Sequence, residues 1–280
     1  MSKITPPTIK AHLILAPQSA GRIGKSTAAE GIITWATFAG IGFAVLDLDA
    51  EHRTISQRFP DSSTLFPEAA ASDDGFIEML AAVCEAPAPL IVADFPAQAT
   101  EHILRQLIER GGLEMLAAAG IVVTCLIFPA DDTAARQSAV KCVSALGDRV
   151  KWLIVRQPGP KPLIEPEAWA ASGLGKKFKE YGAGELNWPR LSTSTREAYE
   201  EACKAAGRWL PFDQARESVP FVSAFEFDLW RNQVLCDCED HADFLIPDSS
   251  LIRKRTVRQK APDLATLVSK ASTGGLGLDL

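Results

Sequence analysis

Apolar residues along this chain gather into short continuous runs separated by longer amphipathic stretches. Ala11 to Ala16 (AHLILA), Gly42 to Leu46 (GFAVL), Leu90 to Ala93 (LIVA), Ile121 to Phe128 (IVVTCLIF) and Trp152 to Val155 each read as a strand apolar on both sides. That is the pattern of parallel strands buried on both faces. Leu186 to Leu191 (LNWPRL) reads as a last short strand. Helical patterns cover Ser26 to Phe38, Phe76 to Cys84, Thr100 to Arg110, a segment capped by Asp131, Asp132 or Thr133 and reaching Leu146, Thr195 to Ala206, and Ser223 to Phe244. Gly111-Gly112 is a helix stop, and Asp61-Ser62-Ser63 and Ser72-Asp73-Asp74-Gly75 are turn signals. Pro158 to Gly184 reads as a surface excursion with some helix.

Strands alternating with helices predict an α/β fold: a doubly wound, mostly parallel sheet with helices on both faces. The expected organisation is an extension over residues 1–10, one domain over 11–246, and a basic tail over 247–280. That tail, rich in Ser, Arg, Lys and Gly, is expected to be poorly ordered.

Composition narrows the picture. At 280 residues, 47% hydrophobic and 23% charged, the chain can bury a sizeable core. A net charge of −6 argues against a polyanion binder as a whole. Weak nonspecific DNA contact would have to come from the basic run Arg253 to Lys260 or from Lys176, Lys177 and Lys179. The first ten residues contain no apolar h-region and no apolar run reaches membrane-spanning length, so a cytoplasmic protein without membrane contact is expected. Its six cysteines lie mostly in apolar segments, as buried reduced thiols do. Cys236 and Cys238 on a helix point apart and read as packing residues, which leaves no metal expected beyond Mg²⁺.

The chemistry concentrates between the first strand and the first helix. The loop from Ser19 to Thr27 ends Gly24-Lys25-Ser26, the tail of the phosphate-binding pattern G-x-x-x-x-G-K-S/T, with Ser19 where the pattern has its first glycine. Backbone N–H groups along this loop, Ile23 included, and the helix N-terminus would make a concave anion site. Lys25 would reach β- and γ-phosphates and the Ser26 hydroxyl would ligate Mg²⁺. Asp94 ends a buried strand, where an acid on the Mg²⁺ side belongs. Asp47 and Asp49 alternate at another strand end, so a period of two turns both to one side. Arg156 and Gln157 follow a later strand. All these residues fall at carboxyl ends of strands, the edge at which such sheets bind ligands.

A phosphate loop opening the chain, then Leu46-Asp47-Leu48-Asp49, then Asp94-Phe95-Pro96, resembles the ParA/MinD family of deviant P-loop ATPases over residues 9 to 245. Trp152 to Arg156 and Asn187 to Leu191 resemble the TraL/MobD type from conjugation and mobilisation regions. The resemblance implies that Gly21, Gly24, Lys25, Ser26 and Thr27 bind phosphate and Mg²⁺. It implies that Asp49 positions or activates the hydrolytic water, that Asp47 lies near the metal, and that Asp94 supports Mg²⁺ through water. It puts Arg156 or Gln157 against the base. The family's loop reads K-G-G-x-G-K-S/T, and its first lysine reaches the partner's nucleotide across a dimer. That position here is Ala20, followed by Gly21-Arg22, and Arg22 would have to supply the missing charge.

The function expected is therefore that of a slow Mg·ATPase whose nucleotide state controls association. Its partners would be a second copy or a protein of a plasmid conjugation, mobilisation or partition system. A hydrolysis-deficient nucleotide switch and, behind it, a P-loop small-molecule kinase are the alternatives.

Overall fold

The computed structural model describes residues 8–49, 53–85, 88–96, 99–157 and 161–256. Seven strands, β1 (Ala11–Leu15), β2 (Phe43–Asp47), β3 (Ser63–Leu65), β4 (Leu90–Asp94), β5 (Ile121–Ile127), β6 (Lys151–Arg156) and β7 (Gly184–Asn187), form one sheet. Their order is β3-β2-β4-β1-β5-β6-β7, and every pairing in it is parallel. The β1 strand is central, and the chain winds outward from it in both directions. A doubly wound sheet opens a crevice at the carboxyl ends beside such a switch point.

Helices α1 (Lys25–Ala39), α2 (Thr54–Arg58), α3 (Asp73–Glu85), α4 (Thr100–Ile108), α5 (Gly112–Ala118), α6 (Thr133–Leu146), α7 (Pro166–Ala171), α8 (Gly173–Glu180), α9 (Thr193–Ala206), α10 (Phe212–Ala215), α11 (Phe221–Asp240) and α12 (Ala242–Leu245) cover the two faces. Alternation along the strands divides the core in two. Ile14, Val92, Leu126 and Leu153 pack with α1, α9 and α11, whereas Leu13, Ile91, Cys125 and Trp152 pack with α3, α4, α6 and α8. A Cβ at Gly31 of α1 would lie 2.6 Å from the Trp188 ring, so this glycine allows α1 its close approach to the sheet's far edge.

The strands and long helices predicted from periodicity are present, except that the last strand runs Gly184–Asn187 rather than Leu186 to Leu191, and the other differences have local causes. Ser63 belongs to an edge strand rather than a turn, because residues 63–65 find ladder partners on β2. After the helix stop at Gly111-Gly112 the chain restarts immediately as α5. The Ser223 to Phe244 helix begins at Phe221, set by Pro220 at its N-cap, and breaks after Asp240. Only one side of α11 is core: Trp230 and Val234 are buried, while Phe221 and Phe225 are exposed.

The start of the basic tail is a correction to the expectation of poor order. Its described part, 247–256, docks on the domain. Arg253 donates its backbone N–H to the Ala39 carbonyl at 2.9 Å, and the Lys254 ammonium sits 4.2 Å from the centre of the Phe38 ring. Arg255 pairs with Glu239 at 3.1 Å. Arg253 is thus held through its backbone, and the charges of Lys254 and Arg255 are engaged within the fold. Val257 to Lys260, and residues 1–7 of the predicted extension, lie outside the described residues. No helix among the described residues is long and apolar enough to cross a membrane.

Candidate functional site

The loop between β1 and α1 is fastened at its base. Gln18 is buried, and its amide donates to the carbonyls of Phe128 (3.2 Å) and Ala135 (3.0 Å) while accepting the Phe128 N–H (2.6 Å). The Thr100 hydroxyl donates to the Pro17 carbonyl. Gln18 therefore ties the loop to the ends of β5 and α6, and Thr100 ties it to the start of α4.

The far half of the loop then turns into α1. Gly24 has φ +100°, in the region glycine enters without penalty. Arg22, at φ 60°, adopts the left-handed conformation with a side chain attached, and it is exposed. Ile23 is buried in the core beneath α1, so it faces the loop interior only with its backbone. Ala20, where the family's lysine would stand, is buried as well. Ser19 and Thr27 are half-buried, and Gly21 is exposed.

Helix α1 starts at Lys25 with no side-chain cap and no acidic residue in its first turn. Over fifteen residues such a helix presents a positive end whose first N–H groups have no intrahelical acceptor. Lys25 is buried and donates from Nζ to the Gln18 carbonyl at 2.9 Å. Burial lowers its pKa, while the nearby carboxylates of Asp94 and Asp49 act to raise it. Ser26 donates from its hydroxyl to Asp94 Oδ2 at 2.8 Å. Lys25, Ser26, Asp94 and Asp49 are thus brought together from the first helix and two strand ends.

Asp94 is buried, and its pKa is pushed up to about 6, chiefly by burial. The Ser26 hydrogen bond opposes the rise, and neighbouring Asp47, its register partner across β2 and β4, adds to it. An aspartate whose ordinary value is 3.8 but which titrates near 6 when folded stabilises the fold fully only below about pH 4. That contribution, on the order of 3 kcal/mol for about two units, is lost as pH rises through 6. The melting temperature of Asp94→Asn should therefore gain on that of the wild type between pH 4 and pH 7. A difference that stays constant across this range would show that Asp94 is ionised throughout.

Asp47 has a structural role that periodicity does not reveal. Strand β2 ends at Asp47. Asp47 accepts the Asp49 N–H on Oδ1 (3.0 Å) and the Ser56 N–H on Oδ2 (2.9 Å), while the Leu48 N–H still donates to the Asp94 carbonyl at 3.0 Å. Asp47 is thus a backbone anchor beside Asp94, and both Asp47 and Asp49 lie close enough to Asp94 to raise its pKa. Asp49 is half-buried, and its carbonyl accepts the Arg53 N–H at 3.2 Å.

The pair after β6 divides. Arg156 forms an ion pair with Glu185 on β7 and donates to the Ile164 carbonyl at 3.0 Å, so it braces the sheet edge and its guanidinium is committed there. Gln157 lies against the loop: its Nε2 is 3.2 Å from where a Gly24 Cβ would be. Its buried Oε1 has no hydrogen-bond partner among the described residues.

Lysine, hydroxyl, open N–H groups and neighbouring carboxylates form a donor set that fits a Mg-bound polyphosphate. Mg²⁺ is held by one or two carboxylates, a hydroxyl, water and phosphate oxygens, without an all-protein cage. The described residues contain no cluster of three or more His, Cys, Asp or Glu side chains able to hold a metal. Cys236 and Cys238 are buried packing residues on α11. Two open surface grooves lie elsewhere, one between α9 and the Ser218–Pro220 approach to α11, the other between β3 and α3.

Fold and loop are consistent with a P-loop NTPase-like architecture. No family model matches the chain, and no curated protein matches it.

Proposed function

We propose that this chain is a ParA/MinD-like ATPase that binds Mg·ATP at the start of α1 and hydrolyses it slowly. The observation that carries the reading is the Ser26 hydroxyl donating to Asp94 at 2.8 Å, with Lys25 beside it at an uncapped helix end. Lys25 and the loop N–H groups would hold the phosphates, and Ser26 with Asp94 would hold the Mg²⁺ side. Bound Mg²⁺ would neutralise phosphate charge. Asp49 would orient and deprotonate the attacking water, and Gln157 would close the loop from the β6 side. Nucleotide state would govern association with a second copy or with a partner, in plasmid transfer or partition and in the cytoplasm.

One observation favours a variant of this reading. Ala20 is buried where the family has a lysine, and Arg22 is the nearest cation in the loop. Without an equivalent charge the protein would be a nucleotide-controlled switch that binds ATP but does not cleave it.

The deciding experiment measures Mg-dependent ATP binding, turnover and solution mass for the wild type, Asp49→Ala and Arg22→Ala. Asp49→Ala should keep ATP affinity within about threefold and lower turnover by about a hundredfold, the range for loss of a general base. Wild type that binds but does not turn over, with Asp49→Ala indistinguishable from it, selects the inactive switch. Wild type that does not bind Mg·ATP overturns both readings. Arg22→Ala with unchanged turnover and unchanged mass would rule Arg22 out as the replacement charge.

A further inference from the structure

Helix α2 is five residues long, too short to hold its own position, so its placement depends on what grips its two ends. The grip at its first turn is Asp47, whose Oδ2 accepts the Ser56 N–H at 2.9 Å while Oδ1 accepts the N–H of Asp49. At its last residue the grip is Arg58. This guanidinium is buried and pairs with Glu30, which is itself fully buried on α1, five residues along from Lys25. It also lies over the rings of Tyr199, Trp209 and Phe212, at 5.8, 5.4 and 5.7 Å. Glu30 accepts the Phe212 N–H at 2.7 Å on its other oxygen. One helix therefore carries both Lys25 and the anchor for α2, and Asp49 is tied by its N–H to Asp47 (3.0 Å) and by its carbonyl to the N–H of Arg53 at the start of α2 (3.2 Å).

We propose that Arg58 is a positioning residue: docked on Glu30 and the three rings, it fixes α2 and thereby sets Asp49 relative to Lys25. The role attached to Asp49 rests on the hydrolysis reading above; the placement of its backbone does not. The aromatic half of the socket comes from α9, α10 and the turn between them, so the same residue links the C-terminal layer to the site.

The test uses the full chain with Mg·ATP and two variants. Arg58→Lys keeps the charge and gives up the planar fork and its stacking. Glu30→Gln/Arg58→Met removes both charges, keeps an acceptor for Phe212 and keeps side-chain bulk, so the fold survives. Both should lower kcat about tenfold or more with KM for ATP little changed, as small misplacements of a reacting group do. In the unliganded protein, amide exchange at Asp49 and Ser56 should quicken about tenfold while β1 and β5 stay at wild-type protection, the mark of local rather than global opening. Unchanged exchange at Asp49 and Ser56, or a rise shared by β1 and β5, overturns the proposal. Locally faster exchange with unchanged kcat overturns the link to Asp49 chemistry. If the wild type does not hydrolyse ATP, the hydrolysis reading fails on its own, and the exchange comparison still decides whether Arg58 positions this segment.

Discussion

Replacing Lys25 with alanine should weaken Mg·ATP binding by roughly a hundredfold, the loss expected when one or two charge-assisted hydrogen bonds to phosphate disappear. Lys25 already meets the conditions for that role. Its ammonium is buried at the start of α1, partly desolvated, and donates to the Gln18 carbonyl at 2.9 Å. A cation held this way exchanges one neutral acceptor for anionic oxygens, in a site where water competes weakly. Folding should survive the change. The loop keeps its Gln18 clamp and its Thr100 bond, neither of which involves the lysine side chain. Calorimetric titration of the Lys25→Ala protein, with its melting temperature as a control, separates the outcomes. Affinity within threefold of wild type in a folded variant would mean that the α1 N-terminus is not the nucleotide site.

The legible part of this site was contiguous in the chain. Gly24-Lys25-Ser26 between a strand and a helix can be read from spacing alone, and Asp94 from its place at the end of a four-residue apolar run. Parallel order also followed from those runs, because β-branched strands with no polar face need cover on both sides. What remained hidden depends on partners far away in sequence. Gln18 meets Phe128 and Ala135, and Gln157 meets Gly24, through a sheet order that periodicity does not specify. The anchoring role of Asp47 was also hidden, because its carboxylate accepts N–H groups from Asp49 and from Ser56, nine residues on. Arg58 gave no signal at all. An arginine next to Phe59-Pro60 reads as surface, and only the fold shows that Glu30, one face of an otherwise apolar helix, lies opposite it.

That buried pair carries the second large effect, on stability. Glu30→Gln leaves Arg58 buried without a counter-charge, and Arg58→Met leaves Glu30 buried without one; each should cost about 3–5 kcal/mol. The double variant should recover most of the loss, because exchanging a buried pair for neutral groups of similar volume is close to neutral. The two single variants should differ in how they respond to pH. Burial pushes Glu30 up to about 7 even with Arg58 in place, while Glu30 holds the Arg58 guanidinium above its ordinary value. We give weight to the carboxylate, since Glu30 can take up a proton near neutrality and Arg58 cannot lose one. Removing Arg58 raises the folded pKa of Glu30 further above its unfolded value of 4.5. Stability from such a group is complete below about pH 4.5 and lost as pH rises through the folded value. Arg58→Met should therefore approach wild-type stability near pH 5 and fall furthest behind it at pH 8, whereas Glu30→Gln, with nothing left to protonate at that position, should gain on the wild type as pH rises from 5 to 8, because wild-type Glu30 gives up stability over that range. Denaturant melts of the two single variants and the double at pH 5 and pH 8 test this. Equal penalties for Arg58→Met at both values would mean that Glu30 keeps its charge without its partner, and that the Phe212 N–H and the helix around it solvate the carboxylate well enough to hold it ionised.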